Sequence, residues 1–123
     1  MIYQSDWLMR QIEMIADTLA RLLFNKKSES NFAVKDAAYN INTELWGKLL
    51  SLIEQKKFCE AENLLFSEIE NGESFSIAIE FYTKLNEFSD NELEDNNFSR
   101  EEIYDGLKDI ARKSSVIDFI DFE

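Results

Sequence analysis

Histidine and proline are absent from this 123-residue chain, and cysteine occurs once, as Cys59. Without histidine, the chain cannot use Ser-His or Cys-His catalysis or build a histidine metal site. One cysteine cannot form a disulfide within the chain or a structural zinc site, and no glycine-rich phosphate loop is present. We therefore predict that the protein is not an enzyme and uses no cofactor or metal ion.

Cys59 itself stands beside Phe58 in a segment with helical spacing, just after Lys56 and Lys57. We predict that it packs as a small apolar residue, as unpaired cysteines commonly do. The alternative is a reactive thiol, because nearby cations lower the pKa of a cysteine.

Turn-forming residues are also scarce, since the only glycines are Gly47, Gly72 and Gly106. Sandwiches and barrels need many turns, so their absence favours helices. Apolar residues make up 45% of the chain, which is enough for a core. We predict an all-α protein, a compact bundle of about five to six helices that forms one domain over residues 1–123.

The chain has no apolar run long enough for a transmembrane helix. Its first residues lack the basic and apolar regions of a signal peptide. With a single cysteine in addition, we expect the protein to work in a reducing cytoplasm.

Positive charge is scarce in the C-terminal half. Residues 1–57 carry eight basic and seven acidic side chains, whereas residues 58–123 carry five basic and eighteen acidic ones, and the net charge is −12. Nucleic acid and anionic membrane are therefore disfavoured as partners. The acidic half is either a solvated surface that aids solubility or a docking face for a basic protein.

Within residues 1–27, apolar side chains recur at alternating spacings of four and three, which predicts an amphipathic helix from about residue 5. This stripe serves either the core of the monomer or a self-association seam in a homodimer. The stripe consists of Leu8, Ile12, Ile15, Leu19 and Leu22.

Further helices are predicted over residues 43–113. The spacing gives one helix over 43–55 and another over 58–70, while residues 31–42 stay undecided. A fourth helix starts with Ser74 as its cap and is apolar around most of its circumference, so we expect it to be the most buried.

A short motif occurs twice, first as FSDNEL over residues 88–93 and then as FSREEI over residues 98–103. Each copy has the serine and glutamate of a capping box and the two apolar residues of a hydrophobic staple, so each predicts a helix start. An EF-hand loop does not fit, because its glycine position falls on Asp95 or Arg100. The capping pairs are Ser89 with Glu92 and Ser99 with Glu102, and the staple pairs are Phe88 with Leu93 and Phe98 with Ile103.

The tail, residues 114–123, alternates large apolar side chains with acids. We expect Phe119 and Phe122 to fold back onto the bundle. The alternative is a short acidic and hydrophobic docking peptide. The residues we assign to partner docking are Glu92, Glu94, Asp95, Phe119 and Phe122.

Two resemblances follow from longer segments. The stretch LWGKLLSLIEQKKFCEAENLLFSEI resembles one tetratricopeptide helix pair, with Ala61 at the small position of the second helix. It departs from that pattern at Leu49 and Glu68, so a repeat array and its peptide groove are not expected.

The segments DWLMRQIEMIADTLARLLFNK, EAENLLFSEIE and LNEFSDNELEDNNFSREEIYDGLKDIA are similar, in that order, to DUF6483, a family of small bacterial proteins of unknown function. The resemblance covers most of the chain. It implies an acidic, all-α cytoplasmic protein and transfers no catalytic residues.

Three functions are consistent with these patterns. The first is a non-catalytic helical module for protein–protein interaction. The second is an acidic inhibitor, similar to an antitoxin, that neutralises a basic partner. The third, an enzyme that uses carboxylates and Mg²⁺, lacks any supporting motif.

Overall fold

Helices form nearly all of the chain that the computed structural model describes, which is residues 5–23, 42–71 and 75–120, and these ranges contain no strand. The all-α prediction is confirmed. Residues 31–41, left undecided by the sequence, and the predicted cap Ser74 lie outside the described residues. The helices are α1 (Ser5–Leu23), α2 (Thr43–Glu54), α3 (Phe58–Glu70), α4 (Phe75–Leu85), α5 (Asp90–Glu94) and α6 (Arg100–Lys113), followed by a 3-10 turn (Ile117–Phe119).

Helix α1 packs against α4 and α6. The predicted stripe faces this contact, because Leu8, Ile12, Ile15 and Leu19 are all buried in the core of the chain itself. Leu22, at the end of the stripe, is 36% exposed. The apolar face is therefore occupied within one molecule, and a contact between two copies through α1 would have to use its opposite face.

Helices α2 and α3 pack on each other as a hairpin. Asn42 caps α2 by accepting hydrogen bonds from the backbone N–H groups of Glu44 and Leu45, both at 3.1 Å. Lys56 turns the chain between the helices with φ of 62°. The finer likeness to a tetratricopeptide unit stays a prediction. The buried residues of the hairpin are Leu45, Leu49, Ile53, Phe58, Ala61 and Leu65.

Helix α4 lies at the centre and contacts α1, α2 and α6. Seven of its eleven residues are buried, the largest share in any described helix, as its apolar circumference predicts. These residues are Ser76, Ile77, Ala78, Ile79, Phe81, Tyr82 and Leu85.

Both copies of the repeated motif stand at helix starts. At α5, the Ser89 hydroxyl accepts from the N–H of Glu92, and the Glu92 carboxylate accepts from the N–H of Ser89, each at 3.1 Å. At α6, Ser99 accepts from the N–H of Glu102 at 3.2 Å, but its hydroxyl donates to the Glu102 carboxylate at 3.3 Å. The first copy is thus a complete capping box, and the second is half of one.

The two phenylalanines of the motif pack on a single ring. Phe88 and Phe98 lie with their ring centroids 5.1 Å and 6.0 Å from that of Phe58, the first residue of α3. These tilted and edge-on contacts suit the charge distribution of aromatic rings. The repeated motif therefore attaches the starts of α5 and α6 to the start of α3.

Arg100 forms a buried polar junction that the sequence analysis did not single out. Its side chain is 4% exposed. It donates to the backbone and side-chain oxygens of Asn86, both at 2.9 Å, to the carbonyl of Phe88 at 2.7 Å, and to Asp90 at 2.9 and 3.1 Å. Asn86 in turn donates to the carbonyl of Met9 at 3.3 Å. Arg100 therefore ties together the end of α4, α5 and α6, and Asn86 extends this junction to α1.

The tail follows α6 through the 3-10 turn. Val116, Ile117 and Ile120 pack against the core, whereas Phe119 is 72% exposed. The expectation that Phe119 folds back is wrong, and Phe122 lies outside the described residues. In a turn with three residues per repeat, Ile117 and Ile120 share one side, so Phe119 points away from it.

Candidate functional site

Tyr82 projects from α4 against the backbone of α6 at Gly106. A β-carbon at Gly106 would lie 2.3 Å from Cζ of the tyrosine ring and 2.5 Å from its oxygen. No real side chain could occupy that space, so glycine allows the ring to lie directly on the helix. The ring is fully buried as a result.

The Tyr82 hydroxyl donates a hydrogen bond of 2.5 Å to Oε2 of Glu62 on α3. Such a short distance is typical of a hydroxyl bound to a charged carboxylate. Through this one side chain, α4 is connected with α3 on one side and with α6 on the other.

Two acids of α6 also affect the pKa of the Glu62 carboxyl. Burial raises the pKa of Glu62, the hydrogen bond from Tyr82 partly opposes that rise, and the negative charges of Glu102 and Asp109 add to it. We call Glu62, Glu102 and Asp109, together with Tyr82 and Gly106 between them, the acidic seam. Its carboxylates raise the free energy of one another in their charged forms.

The seam is not arranged for nucleophilic chemistry. Burial, followed by the charge of Glu62, raises the pKa of Tyr82 far above its ordinary value, so the hydroxyl stays protonated and acts as a donor. Within the described residues, no group of three acidic, cysteine or histidine side chains could hold a metal ion. The arrangement gathers three acidic side chains around a protonated hydroxyl.

Cys59 lies at the edge of the seam. It is exposed, so the prediction that it packs as an apolar residue is wrong. Phe58 takes the inward position at the start of α3, and the next residue is rotated by about 100° away from it. Desolvation and the charges of Glu102 and Glu62 raise the pKa of the thiol, and the nearby lysines do not reverse that direction. The thiol is therefore a weak nucleophile.

Cations of the acidic half are already engaged within the chain. Lys84 pairs with Glu87 at 3.3 Å, Arg112 pairs with Asp109 at 3.3 Å, and Arg100 is committed to its buried junction. Lys113 stands 5.8 Å from the ring centroid of Phe66. Several exposed acids take part in none of the ion pairs found among the described residues, and these include Glu60, Glu94, Asp95, Glu101 and Asp105.

The residues predicted to dock a partner differ in whether they already interact within the chain. Glu92 is used within the chain, because it caps α5 and lies 3.8 Å from Lys56. The backbone hydrogen bond from Ser89 lowers its pKa. Glu94, Asp95 and Phe119 are exposed. The seam was missed, since its members come from three helices whose approach no local pattern of the sequence records.

The described ranges thus form an all-α bundle with an acidic seam between α3 and α6, and none of their helices is long and apolar enough to cross a membrane. The chain belongs to DUF6483, a family of unknown function, whose model matches residues 2–115. No curated protein and no solved structure matches the chain.

Proposed function

We propose that this protein is a non-catalytic interaction module that binds a basic partner protein through the acidic seam and the exposed acids around it. The observation that carries the proposal is the place of Glu62, whose carboxylate the Tyr82 hydroxyl holds at 2.5 Å. Burial raises the pKa of this carboxyl, and the negative charges of Glu102 and Asp109 repel it further. A basic side chain placed there would relieve that repulsion, and complementary charge speeds association and selects the partner.

The absence of catalysis in this proposal is supported by the same groups. The Tyr82 hydroxyl is buried and already bound to Glu62. The Cys59 thiol has a raised pKa. The chain offers no histidine as a general base. A reaction would need a base and a nucleophile within hydrogen-bond reach of each other.

The second candidate is an inhibitor that neutralises a basic, nucleic-acid-binding partner. The eighteen acids against five cations of residues 58–123 favour it, because such a surface imitates the charge of a phosphate backbone. The two functions differ in outcome, since an inhibitor abolishes the partner's own nucleic-acid binding and a simple module does not.

Asp105 gives a sharp test, because it is exposed and lies on the same side of α6 as the seam, three residues after Glu102 and four before Asp109. Asp105→Lys places a cation beside the seam. Glu54→Lys, at an exposed position near the end of α2, is the matched control with the same change of charge.

The three proteins would be used as baits in lysate of the native cell at low salt, and captured proteins would be identified by mass spectrometry. We expect a basic protein that the wild type and Glu54→Lys capture equally, that Asp105→Lys captures about tenfold more weakly, and that high salt releases. Equal capture by Asp105→Lys, or a captured protein that resists salt, would refute the proposed site.

A further inference from the structure

The outer face of α1, turned away from the core, carries acidic and basic residues in alternation. Read backwards along the helix, the pattern has the opposite charge at each position. The exposed charged residues of this helix are Asp6, Arg10, Glu13, Asp17 and Arg21. Glu13 lies towards α4, where it lines a small groove with Thr83 and Glu87, and the other four alternate in sign. Among them, Met14 is 61% exposed, although most large apolar side chains of the described residues are covered. We call Asp6, Arg10, Met14, Asp17 and Arg21 the outer face.

The pattern has a centre of symmetry along the helix. The midpoint between Asp6 and Arg21 falls between residues 13 and 14, and the midpoint between Arg10 and Asp17 falls at the same place. If a second α1 lies antiparallel on the first, each of the acids Asp6 and Asp17 meets an arginine of the other copy. The four ion pairs follow from one two-fold axis, as an isologous interface requires.

We propose that the outer face of α1 is the interface of a homodimer, in which two α1 helices lie antiparallel with Met14 of each copy near the two-fold axis. The occupant is thus a second copy of this chain. This inference goes beyond the proposed function, because it concerns a different surface and a different partner.

The placement of α1 in the fold agrees with this pairing. Its core face packs on α4 and α6, and no residue of the acidic seam belongs to α1. Two copies joined through the outer face therefore use no seam residue in their contact. The net charge of residues 1–57 is close to zero, with eight basic and seven acidic side chains, so like-charge repulsion at the interface is small.

One existing contact competes with the pairing. Asp17 and Arg21 of the same helix form an ion pair of 2.5 Å, with the two side chains 58% and 57% exposed. The planar guanidinium of Arg21 has five donors, so it can keep Asp17 and still bind Asp6 of the second copy.

A complementary pair of variants tests the interface. Arg10→Glu with Arg21→Glu makes the outer face wholly acidic, and Asp6→Arg with Asp17→Arg makes it wholly basic. Each variant alone would set four like charges against their copies, whereas a mixture of the two restores four attractive pairs. Lys48→Glu, at an exposed position on α2, is the control for a charge change elsewhere.

Sedimentation equilibrium at low salt is the measurement, with far-UV circular dichroism to verify helix content. We expect a wild-type dimer that high salt dissociates, a similar dimer for Lys48→Glu, and at least about tenfold weaker association for each double variant alone. The equimolar mixture should dimerise with about the wild-type affinity. If a double variant loses helicity, the single changes Arg10→Glu and Asp17→Arg give the same comparison.

A wild type that is monomeric at low salt throughout the concentration range would overturn the proposal. So would double variants that dimerise as well as the wild type, or a mixture that stays monomeric. Capture of a basic partner through the acidic seam is unaffected by any of these results, so the two proposals fail independently.

Discussion

At Gly106, the lack of a β-carbon allows the Tyr82 ring of α4 to pack directly on α6. Gly106→Ala would push a β-carbon into the ring of Tyr82, at 2.3 Å from Cζ. Gly47 in α2 is the matched control, because a β-carbon there meets no atom within 4 Å.

We expect Gly106→Ala to lower the free energy of unfolding by ~1–3 kcal/mol, as overpacking does. Gly47→Ala should raise it by up to ~1 kcal/mol, since alanine favours the helix more than glycine does. Urea unfolding of both variants measures the two changes. A stabilising Gly106→Ala would mean that Tyr82 does not lie on α6 in solution.

Glu62 gives a second prediction at the residue scale, which concerns pH. Its pKa in the folded protein lies above the ordinary value of 4.5, mainly because the carboxyl is buried. The folded state therefore takes up this proton at a higher pH than the unfolded chain does. Stability should rise as the pH falls through the folded pKa, and the gain is complete below about 4.5.

Glu62→Gln imitates the protonated form, so it should stabilise the protein at pH 7 and have little effect near pH 4. Glu60→Gln, an exposed acid on the same helix, controls for the loss of one negative charge. Thermal unfolding across this range measures both. If the effect of Glu62→Gln is the same at every pH, the carboxyl does not titrate abnormally.

At the scale of the element, Arg100 holds the ends of several helices together. Arg100→Lys keeps the charge but replaces the planar fork by one ammonium group, which cannot bind Asn86, Phe88 and Asp90 at once. We expect a loss of ~2 kcal/mol or more, because buried acceptors are left without donors. Arg112→Lys, in an exposed pair with Asp109, should change stability by less than ~0.5 kcal/mol. Chemical denaturation that ranks the two changes equally would contradict the junction.

Local patterns predicted the elements well. The predicted helix over 58–70 has the observed bounds, and α2 ends one residue before the predicted helix over 43–55 does. Caps and apolar periodicity depend on residues three and four apart, which the sequence displays directly. The stripe of α1 is the instructive case, since periodicity identified the face but could not decide whether its own chain or a second copy covers it.

Neither the seam nor the junction was predictable, because each depends on residues far apart in the chain. Tyr82 and Glu62 are 20 residues apart, and Asn86 and Met9 are 77 apart. Cys59 and Phe119 were misplaced for a related reason. Both are apolar in character, but in each case a neighbouring residue occupies the buried position. Phe58 does so beside Cys59, and Ile117 and Ile120 pack on the core beside Phe119.

At the scale of the whole molecule, the net charge of −12 opposes the compact state. Adding sodium chloride to ~0.5 M shortens the range of this repulsion, so the melting temperature should rise. Differential scanning calorimetry at low protein concentration, where the monomer prevails, measures the shift. A melting temperature that falls with salt would show that attractive ion pairs outweigh the repulsion.

The packing of α1 on α6 also determines when the fold can be completed during protein synthesis. The ribosome makes α1 first among the described helices and α6 last. Until residues 100–113 have been added, Leu8, Ile12, Ile15 and Leu19 have only part of their final cover. The nascent chain therefore carries an open apolar helix through most of its elongation, and a chaperone that recognises such helices would find its binding site there. Premature release before Arg100 is made would leave that site open.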